Sequence, residues 1–113
     1  MEQNIMKNID MSTIIDPASL VSYLPGQIVS RTLIQNKAVS ITLFAFNEGE
    51  EISTHASGGD ALVLILDGSA VITIGEEVYR PHKGESIVMP AGVPHAVASE
   101  QPFKMMLTVV FAQ

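Results

Sequence analysis

The chain has 113 residues, enough for one domain at roughly 150 residues per domain and enough to bury one core without staples. Hydrophobic residues make up 47% and charged residues 16%, which excludes disorder, and the absence of cysteine excludes disulfides, thiolate metal sites and a cysteine nucleophile. Twelve acidic residues against six basic ones give a net charge of −6, and lysine and arginine form no cluster, so neither nucleic acid nor an anionic membrane surface is an expected partner.

The start, Met1-Glu2-Gln3-Asn4-Ile5, has no basic segment followed by an apolar one, so it does not read as a signal peptide and the expected compartment is cytoplasmic. The longest apolar run, Ala61 to Leu66, is far short of the ~18 residues of a membrane helix. Residues 1–26 read as an N-terminal arm. Asp16 is a good cap and Pro17 a good first helical residue, so a short helix is expected over Pro17 to Tyr23, stopped by Pro25-Gly26.

From residue 27 to 113 the texture is β. Expected strands are Ile28 to Leu33, Val39 to Phe46, Ile52 to Ala56, Ala61 to Leu66, Ala70 to Ile74, Glu77 to Arg80, Ser86 to Met89, His95 to Ala98 and Phe103 to Phe111. Turn residues separate them: Gly58-Gly59, Asp67-Gly68, Gly75, His82-Lys83-Gly84 and Pro90-Ala91-Gly92. Short strands punctuated in this way predict an all-β sandwich or barrel. Asp67-Gly68 predicts a two-residue hairpin. Val39 to Phe46 alternates, with Val39, Ile41, Leu43 and Ala45 opposite Ser40, Thr42, Phe44 and Phe46. Ala61 to Leu66 has no polar side, so its second face needs a cover, either a second copy in a homodimer or the N-terminal segment.

Three histidines carry the chemical interest. Gly49, five residues, His55 and then Gly68 form one spacing; Gly84, five residues, Pro90, Gly92 and His95 form another. On these residues the chain resembles the cupin superfamily of the small "cupin 2" type, with a short intermotif stretch from Ser69 to Lys83. The resemblance implies an all-β double-stranded β-helix, or jelly-roll, barrel over residues 27–113. It also implies a site inside that barrel. In metal-binding cupins two histidines and a glutamate of the first motif, with the histidine of the second, hold one divalent ion. Here His55 and His95 keep two of those positions, while Ser57, Ala61 and Ser99 stand where the second histidine, the glutamate and a final asparagine are expected.

Two imidazoles alone make a poor site, since zinc and non-haem iron usually take three protein ligands. Glu51 lies about 13 Å along the strand from His55, too far to share an ion. Asp60 is the local alternative. If Gly58-Gly59 makes a two-residue loop, Asp60 shares the face of His55; if the loop includes Asp60, Ala61 takes that face and Asp60 stays in the turn. Ser57 and Ser99 could instead line a pocket as hydroxyls. Met89, Met105 and Met106, with Phe44, Phe46, Phe103 and Phe111, could line an apolar cavity or simply pack the core. His82 reads as a solvated turn residue, and Glu48, Glu50 and Glu51 as a solvated stretch. No nucleophile triad and no phosphate loop is present in the sequence.

Three functions follow. The first is a barrel binding a small molecule, oriented by His55, His95 and Ser57. The second is a metal-dependent enzyme, a dioxygenase, isomerase or decarboxylase of a small acid, with one Fe, Mn, Zn, Ni or Cu ion on His55, His95 and Asp60. The third is a closed barrel serving as a dimerisation unit.

Overall fold

The structure is a computed structural model and describes residues 5–113; the first four residues of the arm lie outside it. The Asp16 carboxylate accepts a hydrogen bond from the Ala18 amide at 3.1 Å and Pro17 takes the first position, so a single 3-10 turn forms over Pro17–Leu20. It ends before the expected Tyr23. Val21 swings into extended conformation and buries its side chain with Leu33, Leu43 and Ala45. Burial of a branched side chain wins here over continuation of the helix.

Nine strands follow: β1 (Ile28–Gln35), β2 (Val39–Phe46), β3 (Glu51–His55), β4 (Asp60–Asp67), β5 (Val71–Ile74), β6 (Glu77–Tyr79), β7 (Ser86–Met89), β8 (His95–Ala98) and β9 (Phe103–Val110). They form two antiparallel sheets, β1-β2-β9-β4-β7 and β3-β8-β5-β6. Chain neighbours often fall in opposite sheets, the jelly-roll signature. The interior between the sheets is filled by Phe46, Val63, Ile65, Ile72, Phe103 and Met105 among others. Phe46 and Phe103 are cross-strand partners whose rings stack at 4.5 Å. Such a pair adds about 0.5–1.5 kcal/mol beyond the area it buries.

The alternation in β2 is as the sequence predicts, yet both of its faces are buried. Phe44 and Phe46 face the interior, while Ile41, Leu43 and Ala45 lie in a second cluster under the arm. Met6, Ile9, Leu20 and Tyr23 of the arm supply the cover, and Leu66 and Met106 complete the cluster. The arm is also tied by polar contacts. The Tyr23 hydroxyl donates to Asp67 Oδ2 at 2.5 Å, and Lys104 Nζ donates to the Ala18 carbonyl at 2.7 Å while standing 5.0 Å above the Tyr23 ring. Burial, and then the Asp67 carboxylate, push the Tyr23 hydroxyl well above the usual phenol range. The N-terminal segment thus covers the Leu66 end of β4. Further along that face, Leu62 and its cross-strand partner Val88 stay 42% and 48% exposed.

Asp67-Gly68 is not a hairpin. β4 pairs with β7 and β9, and the chain leaves it at Gly68 to cross to the other sheet. Only Gly68, at φ +70°, has positive φ; Asp67 remains in the strand. The two-residue hairpin lies instead between Ile74 and Glu77, with Gly75 at φ +60°. A positive-φ glycine marks both places, and strand partnership decides which one closes a ladder. Among the described residues no helix is long and apolar enough to cross a membrane.

Gly68 carries a second constraint. A Cβ there would collide with the Pro102 carbonyl oxygen and crowd Phe103, whereas a Cβ at Gly75 would meet nothing within 4 Å. Asparagine tolerates positive φ, so it isolates the collision. Gly68→Asn is expected to cost about 2 kcal/mol or more through forced displacement. Gly75→Asn should cost less than about 1 kcal/mol. Thermal unfolding by circular dichroism checks the difference.

Candidate functional site

β3 and β8 are hydrogen-bonded neighbours, and their register sets His55 directly opposite His95. A shift in that register between Ile52 and His55 brings His55 to the partner position. Forty positions apart in the chain, the two rings meet edge to face, with centroids 4.3 Å apart and Nε2 to Nε2 at 3.1 Å. His95 is inward and buried, at 3% exposure. His55 sits on an edge strand at the rim, exposed, with its ring reaching in.

The other ring nitrogens decide the tautomers. His55 Nδ1 lies 2.9 Å from the Ser53 carbonyl and His95 Nδ1 lies 3.2 Å from the Val93 carbonyl. A carbonyl oxygen only accepts, so both Nδ1 atoms carry hydrogen. In neutral rings both Nε2 atoms then present lone pairs to each other. At 3.1 Å that contact is attractive only with a positive charge between them.

Beneath the rings lies a cavity of about 80 Å³. Its floor and walls are Ala61, Met89, Val97, Met105 and Val109, with Ile52 and Leu107 at the sides. Of the residues singled out in the sequence, Met89 and Met105 reach the cavity. Phe46 and Phe103 pack the core beside it, and Met106 lies in the cluster under the arm. Ala61, Val97 and Val109 were not singled out as cavity residues. They carry no chemical signature, and only strand parity within the interior face marks them.

Ser57 lines the cavity, but its hydroxyl is committed to a local turn, accepting from the Gly59 amide at 3.1 Å and donating to the Gly59 carbonyl at 2.9 Å. Asp60 is not brought to the histidines. It opens β4 opposite Val110, leaving Ala61 to face the interior, and its Oδ1 accepts from the Ala91 amide at 2.8 Å. With Gly92 donating to the Ser57 carbonyl at 2.9 Å, this contact pins the Pro90-Ala91-Gly92 turn that delivers His95. Ser99 is buried away from the cavity and ties the Asn47–Glu50 turn, donating to the Asn47 carbonyl and accepting from the Glu50 amide at 3.1 Å. His82 pairs with Glu85 at 2.9 Å on the exposed surface.

These positions test the family's divalent-metal site. Among the described residues no three histidine, aspartate or glutamate side chains converge. The two remaining ligand positions hold a serine engaged elsewhere and an alanine. The residues present do not fit a divalent ion that needs three or four such ligands.

Burial holds His95 below the usual imidazole range, partly offset by its bond to the Val93 carbonyl, with a smaller further lowering from the neighbouring His55. The native state therefore favours neutral His95, while the unfolded chain takes up a proton near pH 6.5. Stability contributed at neutral pH is lost as pH falls below about 6.5. The thermal midpoint should fall between pH 7.5 and 5, and His95→Gln should flatten that slope. Equal slopes in both proteins would count against a buried neutral His95.

Comparison with known proteins agrees with this architecture. Residues 42–111 match the Cupin_2 family model, described as a cupin domain. A crystal structure of a conserved protein of unknown function from Streptococcus pyogenes is 42% identical, covers 98% of this chain and 97% of that one, and superposes with a TM-score of 0.96. A cupin superfamily protein from Desulfitobacterium hafniense is 34% identical over 95% of this chain and 98% of its own, with a TM-score of 0.90. An uncharacterized protein of Streptomyces coelicolor is 29% identical over 62 residues, covering 55% of this chain and 59% of that protein, so the match spans less than two thirds of that relative. With the family model covering more than half of its length and the jelly roll in place, this chain belongs to the cupin family.

Proposed function

We propose that this protein binds a compact carboxylate or carbonyl compound at the mouth of the barrel. The observation that carries the reading is the His55–His95 pair closing over an almost wholly apolar cavity. A proton taken up between the two Nε2 atoms gives the rim a positive charge, and a carboxylate or carbonyl oxygen that displaces the other imidazole as its acceptor receives it in a charge-assisted hydrogen bond. The cavity, about 80 Å³ against the 300–1,000 Å³ common for drug-sized ligands, accepts only a few apolar atoms. The ligand is therefore a short acid or ketone, or the short apolar end of something longer that leaves past His55.

Short-chain carboxylates from acetate to hexanoate are the probes. Titration followed by the imidazole proton resonances should shift both rings, with the tightest binding at intermediate chain length. His95→Gln should abolish the effect, and Ala61→Val should move the optimum to a shorter chain. Unshifted imidazole resonances with every acid in the series would overturn the reading.

A homodimer is proposed from a separate observation. Leu62 and its cross-strand partner Val88, 42% and 48% exposed, form an apolar pair that continues the sheet face the arm only half covers; Thr108 lies opposite Leu62 on β9, and Val110, 56% exposed, lies beyond it opposite Asp60. A second copy related by a two-fold axis places the apolar Leu62–Val88 pair against itself. Light scattering at high protein concentration should give twice the monomer mass, and Leu62→Lys with Val88→Glu should halve it. A wild-type monomer would refute the dimer and leave the carboxylate site untouched.

A further inference from the structure

A second hollow, of about 450 Å³, lies between the N-terminal arm and β1. Asn8, Ile9, Asp10, Ile15 and Leu20 of the arm line it together with Arg31 of β1. It shares no lining residue with the cavity under the histidines. We propose that this hollow binds a free α-amino acid with a branched aliphatic side chain, of which leucine is the type. The inference goes beyond the carboxylate reading and does not depend on it.

Three observations carry it. The first is how the site is built. The Lys7 amide donates to the Leu33 carbonyl at 2.8 Å, the Asn8 side chain to the Thr32 carbonyl at 2.8 Å, and Arg31 Nη1 to the Asn8 carbonyl at 3.2 Å. These bonds seat the arm on β1, where the chain bends at Asn8, φ +60°, and turns at Ser12, φ +51°. A left-handed serine is uncommon and persists where its surroundings hold it. The two walls are thus tied together by the chain's own backbone.

The second is charge. Arg31 and Asp10 line one hollow, yet among the described residues they form no ion pair with each other. No described residue donates a hydrogen bond to the Asp10 carboxylate, and Arg31 gives only one of its donors to the Asn8 carbonyl. A plain acid here meets Asp10 as well as Arg31, in a chain whose net charge is already −6. A plain amine meets Arg31. A ligand with both charges on neighbouring atoms meets each with its opposite, its carboxylate on the guanidinium and its ammonium on Asp10.

The third is the apolar wall. Ile9, Ile15 and Leu20 are half-buried, and Ile9 and Leu20 also pack against the cluster beneath the arm. They offer a branched aliphatic side chain a surface of its own kind. The volume falls within the range of about 300–1,000 Å³ usual for small-molecule sites.

Isothermal titration calorimetry of the full chain with L-leucine tests the site. One leucine should bind per chain. Arg31→Gln and Asp10→Asn should each weaken binding at least about tenfold, through loss of a charge-assisted hydrogen bond. Asp10 is exposed, so its variant keeps the fold, and circular dichroism checks Arg31→Gln. 3-Methylbutylamine, which lacks the carboxylate, and 4-methylpentanoate, which lacks the amine, should each bind at least about tenfold more weakly than leucine. Glycine should lose about as much for want of apolar contact. Asp10→Asn should bind 4-methylpentanoate more tightly than the parent protein does. The acid is titrated in a His95→Gln background, so the failure of this site and that of the histidine site are read separately. Absence of saturable leucine binding, affinity unchanged in both charge variants, or equal affinity for leucine and either one-charge analogue would each overturn the proposal.

Discussion

Strand β9 is the member on which the rest of the molecule depends. It is hydrogen-bonded to β2 on one side and β4 on the other, so it joins the two halves of the larger sheet. Its alternate side chains serve two different cores. Phe103, Met105 and Val109 face the interior, while Met106 joins the cluster beneath the arm. A strand covered on both faces must be apolar on both, and Phe103 to Val110 meets that demand apart from Lys104 and Thr108. Lys104 is resolved by reaching out over Tyr23 to the Ala18 carbonyl, which turns an awkward charge into the tie that seats the arm.

The site depends on the same layering. The smaller sheet carries both histidines on neighbouring strands, and the larger sheet supplies the apolar floor through Ala61, Met89, Met105 and Val109. The polar rim and the greasy floor therefore belong to different sheets, and neither exists without the closure of the two layers. Contacts between loops refine the arrangement. Asp60 and Ser57, which spacing alone presents as candidate ligands, hold the turns around the site in place.

Much of the fold was legible because short strands, alternation and turn residues are local signals. The strand limits inferred from sequence coincide with the observed ones at most ends and differ by a residue or two at the others. Pairing is not local, and there the reading failed at Asp67-Gly68, where a turn dipeptide marks a crossing between sheets. The meeting of His55 and His95 was expected only through the family resemblance that their two motifs carry. The position of Asp60 was not, because Ala61 to Leu66 is apolar on both faces and leaves the register of the preceding loop undetermined. The arm's part in burying β2 was equally invisible. Met1 to Thr13 shows no sustained period in the sequence, and the apolar side chains of the arm gain meaning only against a sheet already formed.

The placement of His55 on an outermost strand has a mechanical consequence. β3 has a single hydrogen-bonded neighbour, β8, so it can move outward by breaking one ladder while every other ladder in the barrel stays closed. His95, with β5 on its far side, is anchored by two. One imidazole thus stands on a strand held from both sides and the other on a strand held from one, so breaking a single short ladder is enough to release the second.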